Sequence, residues 1–158
     1  MTAPIDADTT PFLILDLARL MRTEFERRVA ASALDVTPGE ARILATIARE
    51  GARRQNDLAD LTGLGAMSVT AFLDRLEKAG LVQRMPDPSD RRAKLVTVTD
   101  RAAPLLVRLR AIGQDLRAIT RGDMSDADWT RFRELLLVAR DNHLTERRCR
   151  GPREETSR

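Results

Sequence analysis

The stretch from Gln55 to Thr99 reads QNDLADLTGLGAMSVTAFLDRLEKAGLVQRMPDPSDRRAKLVTVT. Leu58 and Leu61 begin a short helical period, which Gly63 and Gly65 break. Val69, Phe72, Leu73, Leu76 and Ala79 resume it, and Gly80 is its stop signal. Leu81 and Val82 then open a strand-like run, Pro86 to Arg92 is a polar turn holding two prolines, and Leu95 to Thr99 alternates apolar with polar. Two short helices around a tight turn, followed by a hairpin, give the element order of a winged helix-turn-helix. That motif sets its second helix in the major groove of DNA.

On the N-terminal side, Thr37-Pro38-Gly39-Glu40 has the form of a capping box with proline at the first helical position, and the helix it opens runs through Ile43, Leu44 and Ile47 to Gly51. Arg53 and Arg54 follow, either as solvated charges or as phosphate contacts at the start of the next helix. Further upstream, Thr10 as N-cap and Pro11 at N1 predict a first helix to about Ala31. Its apolar residues spread too widely for a lone surface helix, so it is either an ordinary core helix or one covered by a second subunit.

On the C-terminal side, Thr99-Asp100 can cap a fifth helix, with Pro104 forcing a late start or a slight kink. Leu105, Leu109, Ile112, Leu116 and Ile119 then repeat at 4-3-4-3 spacing, a coiled-coil-like seam. Ser125-x-x-Asp128 caps a last helix bearing Trp129, Phe132, Leu135, Leu136 and Ala139, expected to fade after Asn142.

Composition narrows the function classes. A chain of 158 residues suits one domain, or one domain with dimerisation arms. Four Phe, one Trp and no Tyr leave core and interface to Leu, Ile, Val, Ala and Met. No apolar run reaches the roughly 20 residues that span a bilayer. MTAPIDADTT carries acids and no basic n-region, so no secretory signal is expected and a cytoplasmic protein is. The formal charge of +3 is carried by the segment Arg147–Arg158 alone, with five Arg and two Glu. A nucleic-acid role therefore rests on clustering, above all Arg91, Arg92 and Lys94, and not on net charge. Catalysis is disfavoured: there is no glycine-rich phosphate loop and no nucleophile paired with a base, and His143 is the single histidine. With Cys149 the single cysteine, neither an internal disulfide nor a zinc site is expected.

The runs DRLEKAGLVQR (Asp74–Arg84) and DPSDRRAKLVTVT (Asp87–Thr99) resemble the MarR family of bacterial transcriptional regulators, and a weaker likeness extends from about Pro11 to His143. The resemblance implies that Arg92 is the wing-tip arginine that enters the minor groove and that Asp90 is the acid that orients it. Physics agrees, since a narrow minor groove concentrates negative potential and a carboxylate can hold a guanidinium by a charge-assisted pair. The resemblance also implies a homodimer, and small aromatic acids bound between the DNA-binding lobe and the dimerisation helices. Peroxide sensing as in some relatives is not expected, because Pro11–Arg28 has no cysteine. Two residues depart from the family's pattern. Ala71 stands where relatives often carry arginine, and Met67 where a small polar residue is common. Either can touch a thymine methyl, but neither can donate a bidentate pair to guanine, so no base preference carries over.

The expected fold is mainly α with a small β-hairpin. A winged helix-turn-helix domain over 37–99 is joined to a helical dimerisation region formed by 10–36 and 100–143, with a flexible N-terminus at 1–9 and a flexible basic tail at 144–158. The expected function is a homodimeric, DNA-binding transcriptional regulator, in the repressor sense. It would hold a pseudo-palindromic operator through recognition helix 66–79 and wing 82–98, and would be released by a small-molecule effector. The DNA-binding candidates are Arg54, Gln55, Met67, Ser68, Thr70, Ala71, Arg75, Asp90, Arg91, Arg92 and Lys94. The dimerisation candidates are Phe12, Leu13, Leu17, Leu105, Leu109, Ile112, Leu116, Trp129, Phe132 and Leu136. No metal, cofactor or membrane is expected as a partner. A winged-helix protein acting only through protein–protein contacts, with Ala71 as a relic of lost base reading, is the alternative.

Overall fold

The computed structural model describes residues 9–149, apart from the side chain of Arg91. Of the expected flexible N-terminus (1–9) and tail (144–158), residues 1–8 and 150–158 lie outside the described residues, as does the DNA contact assigned to Arg91; residues 144–149 are helical. The chain forms two compact units, divided after Arg117.

In the first unit α1 spans Thr10–Ala31 and α2 Pro38–Glu50. The α1 start differs from expectation by one residue: Thr9 is the N-cap, its side chain makes no capping bond, and Thr10 is already helical. The capping box of α2 forms as read. Thr37 Oγ1 accepts the Glu40 N–H at 3.3 Å, and the Glu40 carboxylate accepts the Thr37 N–H at 2.7 Å. Two orphan amides are thereby satisfied by two side chains.

A short strand β1 (Arg53–Arg54) leads directly into α3 (Gln55–Thr62). Nothing in the residues signals this strand, because two arginines carry no alternation to read. The helix α3 ends at Gly63, whose φ of 65° lies in the left-handed region that closes a helix without a Cβ clash. The recognition helix α4 spans Ala66–Lys78, and β2 (Val82–Asp87) and β3 (Asp90–Val98) make the wing. All strands are antiparallel in the order β1-β3-β2. The wing is longer than the hydrophobic alternation indicated. Its outer part, Pro86 opposite Lys94, has no apolar face to bury and leaves no pattern. Pro86 is tolerated because β2 is an edge strand.

The core of this unit gathers Val29 from α1, Ala41, Ile43, Leu44 and Ile47 from α2, Leu58 from α3, Val69, Leu73 and Leu76 from α4, and Val82 and Val96 from the wing. Leu61, read as a core position, is instead exposed, and Thr62 turns inward, its hydroxyl donating to the Leu58 carbonyl at 2.6 Å. A 3-10 turn (Asp100–Ala102) precedes α5 (Ala103–Arg121). Pro104 thus sits at the second helical position, where a missing N–H breaks no bond, and no kink is needed. The seam on α5 is a correction to the dimer expectation. Leu109, 5% exposed, belongs to the core cluster, Leu105 and Ile112 pack against it, and Leu116 is also buried. A 4-3-4-3 spacing marks an apolar stripe, and here its first four members are buried or half-buried within the protomer, while Ile119 is 57% exposed.

In the second unit Gly122, at φ 49°, turns the chain, and α6 runs Asp126–Cys149. Ser125 caps it as read, its hydroxyl accepting the Asp128 N–H at 3.1 Å. Trp129 and Phe132 lie 5.9 Å apart between ring centres. The helix continues past Asn142, because the arginine- and glutamate-containing segment up to Cys149 offers good helix formers and no breaker. No residue of α6 is buried. Among the described residues, no helix is long and apolar enough to cross a membrane.

Candidate nucleic-acid interface

The recognition helix turns Val69, Leu73 and Leu76 inward and leaves Met67, Ser68, Thr70 and Ala71 on its outer face. Met67, in the first turn of the helix, is 88% exposed. Gln55 joins this face: its Nε2 donates to Thr70 Oγ1 at 2.6 Å, and that hydroxyl donates to the Ala66 carbonyl at 3.0 Å. The first residue of α3 and the second turn of α4 are thus tied together at the surface where the helix-turn-helix would meet a duplex.

Arg75 is drawn away from that surface. Its Nε donates to the buried Glu40 carboxylate at 2.6 Å, and its guanidinium lies 5.0 Å from the Phe72 ring centre. Burial alone would raise the Glu40 pKa. The Thr37 amide, Arg75 and the Thr37 hydroxyl outweigh it and leave the carboxyl below its ordinary range. Glu40 therefore serves α2 as a cap and α4 as an anchor.

The root of the wing is held by Arg84 of β2, whose guanidinium donates to Asp74 at 2.7 Å and to Glu77, both on α4. Its backbone N–H also donates to Glu77, at 3.2 Å. Burial would lower the Arg84 pKa, but the bonds to Asp74 and Glu77 leave it raised, so the charge is secure. Recognition helix and wing root are thereby tied together. None of Arg84, Asp74 and Glu77 stood among the sequence candidates. The i,i+3 spacing of the two acids was visible, but not the strand residue that faces them.

Near its tip the wing is organised by Asp87, also missed in the sequence. It is 6% exposed, and Ser89 donates to it through its hydroxyl (2.6 Å) and its N–H (2.8 Å). Arg54 Nε donates to the other carboxylate oxygen at 2.8 Å. The Ser89 bonds, then Arg54, hold the Asp87 pKa down to about 2. The Asp87-Pro88-Ser89 tripeptide is a turn-forming pattern that could have signalled the Ser89 half of this network. Asp90 departs from expectation: its carboxylate accepts the Arg92 backbone N–H at 3.0 Å and lies 3.6 Å from Arg54. It fixes the turn's backbone rather than the Arg92 guanidinium. Arg92 and Lys94 are exposed along the wing, as a DNA-facing pair requires.

Comparison with known proteins places this geometry in context. Residues 36–94 match the family model described as MarR family, the segment from the α1–α2 connection through most of the wing. An uncharacterized HTH-type transcriptional regulator, YcgE of Bacillus subtilis (strain 168), is 40% identical over 75 residues, 48% of this chain and 49% of that protein. The chain thus matches about half the length of that curated relative. The structure of the transcriptional regulator PA3341 superposes with a TM-score of 0.71 at 26% identity, covering 87% of this chain and 99% of the other. That of Bordetella bronchiseptica BpsR, a protein whose DNA binding is regulated by 6-hydroxynicotinic acid, gives 0.65 at 22% identity, covering 88% and 99%.

Proposed function

Since residues 36–94 of this chain are a MarR family domain, we propose that the protein is a homodimeric transcriptional regulator, acting as a repressor and not as an enzyme. It binds duplex DNA with α4 in the major groove and the wing along the backbone and minor groove. The observation that carries this reading is the continuous surface that Arg84 makes by tying the wing to α4. The exposed Met67, Ser68, Thr70 and Ala71 lie on one part of it, Arg92 and Lys94 on the other, and the Arg84 pairs to Asp74 and Glu77 join the two. The helix can read bases only by apolar contact and by two hydroxyls, so thymine methyls are its natural targets.

Dimerisation rests on unpartnered apolar surface. Along α1, Phe12, Leu13, Leu15 and Leu20 are exposed, and along α6 so are Leu135 and Leu136. Exposed stripes of this size mark association. A two-fold pair presents two recognition helices, so the operator is pseudo-palindromic with half-sites about one helical turn apart.

Release by an effector has a structural candidate. A cavity of about 210 Å³ between α2 and α5 is lined by Ala45, Ala48, Arg49, Leu106, Leu109 and Arg110. Apolar walls with two guanidiniums suit a small aromatic acid, the class to which BpsR's 6-hydroxynicotinic acid belongs. An effector shifts the equilibrium only by binding one lobe spacing better than the other. The test is selection of bound duplexes from the source genome, followed by a screen of small aromatic acids for release. Failure to retain any duplex above a scrambled control would refute DNA binding.

A further inference from the structure

Arg54 looks at first like a phosphate contact: a cation at the N-terminus of α3, beside the wing. Its surroundings argue otherwise. It is the second residue of β1, paired with Leu95 of β3, and β3 lies between β1 and β2. To reach Asp87 at the end of β2, its side chain crosses the middle strand and ties the two outer strands together. Nε and Nη2 both lie on the same Asp87 oxygen, at 2.8 and 2.6 Å, and Nη2 reaches the Ser89 hydroxyl at 3.5 Å. Nη1 faces Asp90 at 3.6 Å. One guanidinium thus serves two carboxylates, and the cluster has a net charge of about −1 by ordinary ionisation. Such a cluster offers a phosphate no net attraction. It also sits where the hairpin is weakest, beside the break in β2–β3 register between Pro86 and Asp87. An irregularity of that kind bends a strand and increases its twist, so some device must hold the tip at one angle.

We infer that Arg54 is a positioning residue: clamped on Asp87 and Asp90, it sets the angle at which the wing presents Arg92 and Lys94, and it makes no phosphate contact itself. The inference rests on the DNA-binding reading above for its functional half. Its structural half, that the clamp orders the wing tip, stands on the free protein.

Two measurements test it. The first is amide exchange in the free protein. Asp87→Asn and Arg54→Lys should each speed exchange of the Ser89–Lys94 amides by roughly tenfold, through local opening of the tip, while α4 keeps its protection. Unchanged exchange at the tip in both variants overturns the clamp, whether or not the protein binds DNA. The second is affinity for a duplex that the parent protein selects from a random-sequence pool, at fixed salt. Asp87→Asn removes a negative charge, so charge counting predicts tighter binding, whereas positioning predicts binding weaker by roughly tenfold. Arg54→Lys keeps the charge and loses the planar fork, so a phosphate contact would survive it largely intact, whereas the clamp would not. The double variant should be no worse than the worse single, because both changes break one device. Tighter binding by Asp87→Asn, or near-parental binding by Arg54→Lys, overturns the positioning role. If the parent selects no duplex, the DNA-binding reading falls, and the exchange experiment still decides the clamp.

Discussion

Gly39→Ala is the substitution whose effect follows most directly from the coordinates. Gly39 lies in the first turn of α2, and a Cβ built there would stand 2.5 Å from Phe72 Cζ and 2.6 Å from Cε2. Carbon atoms at rest keep about 3.5–4.0 Å, so the ring would have to withdraw by about 1 Å. The Arg75 guanidinium lies against the ring and is itself bonded to Glu40 in the same turn as Gly39, so withdrawal of the ring must disturb that pair. Overpacking of this kind costs about 1–3 kcal/mol. Alanine returns at most about 1 kcal/mol of helix propensity, and less at a helix end. The net expectation is a loss of about 1–2 kcal/mol, which for a protein of this size lowers Tm by roughly 2–8 °C. Urea unfolding at fixed protein concentration reads it, with the slope unchanged and the midpoint lower. Phe72→Leu removes the obstructing ring atoms, so in that background Gly39→Ala should cost little. A Gly39→Ala variant as stable as the parent, or one that Phe72→Leu fails to relieve, would refute the close packing of recognition helix on α2.

The dimer test belongs on α1. Leu13→Glu places a charge in the proposed interface, where burial without a partner costs several kcal/mol, and sedimentation should show a folded monomer. A Leu13→Glu dimer would exclude α1 from the interface. Acid should weaken the parent through both Glu40 and Asp87. Both carboxyls have lowered pKa values in the folded state, so their contribution is whole above the ordinary range near 4 and is lost as pH falls, for Asp87 down through about 2. Glu40→Gln should flatten that acid limb in part in a pH series of unfolding curves, and an unchanged limb would show that the Glu40–Arg75 pair stabilises nothing. Cys149→Ser should match the parent in DNA binding with or without peroxide, zinc or chelator, since the thiol is exposed and, among the described residues, no group of His, Cys, Asp and Glu is placed to hold a metal. Peroxide release that disappears in the variant would reveal a redox role.

Much of the frame was legible in the residues because local rules wrote it. The Thr37–Glu40 capping box, the Gly63 and Gly80 stops, the Val69–Leu76 stripe and the Ser125 cap all lie within a few residues of the structure they specify. What stayed hidden depends on partners distant in sequence. Arg54 meets Asp87 across 33 positions and Arg75 meets Glu40 across 35, and no periodicity announces such pairs. That is why Arg75, read as a DNA contact, and Arg54, read as a solvated charge or a phosphate contact, prove to be bonded within the protein. The α5 seam was ambiguous for a related reason: spacing shows that Leu105, Leu109 and Ile112 share a face, but not whether the face meets its own core or a second chain. The outer wing lacked a buried face, and so lacked the alternation by which a strand is read.

The central claim is that the α4–wing surface binds duplex DNA through contacts that include Arg92. It is tested most directly by measuring affinity of parent and Arg92→Ala across a salt series, on the duplex that the parent enriches from a random pool. The parent should enrich paired half-sites about one helical turn apart, with affinity falling linearly on logarithmic axes as salt rises. Arg92→Ala should bind about 1–3 kcal/mol more weakly, with a salt slope smaller by about one. No enrichment, or an Arg92→Ala variant with the parent's affinity and slope, would contradict the account.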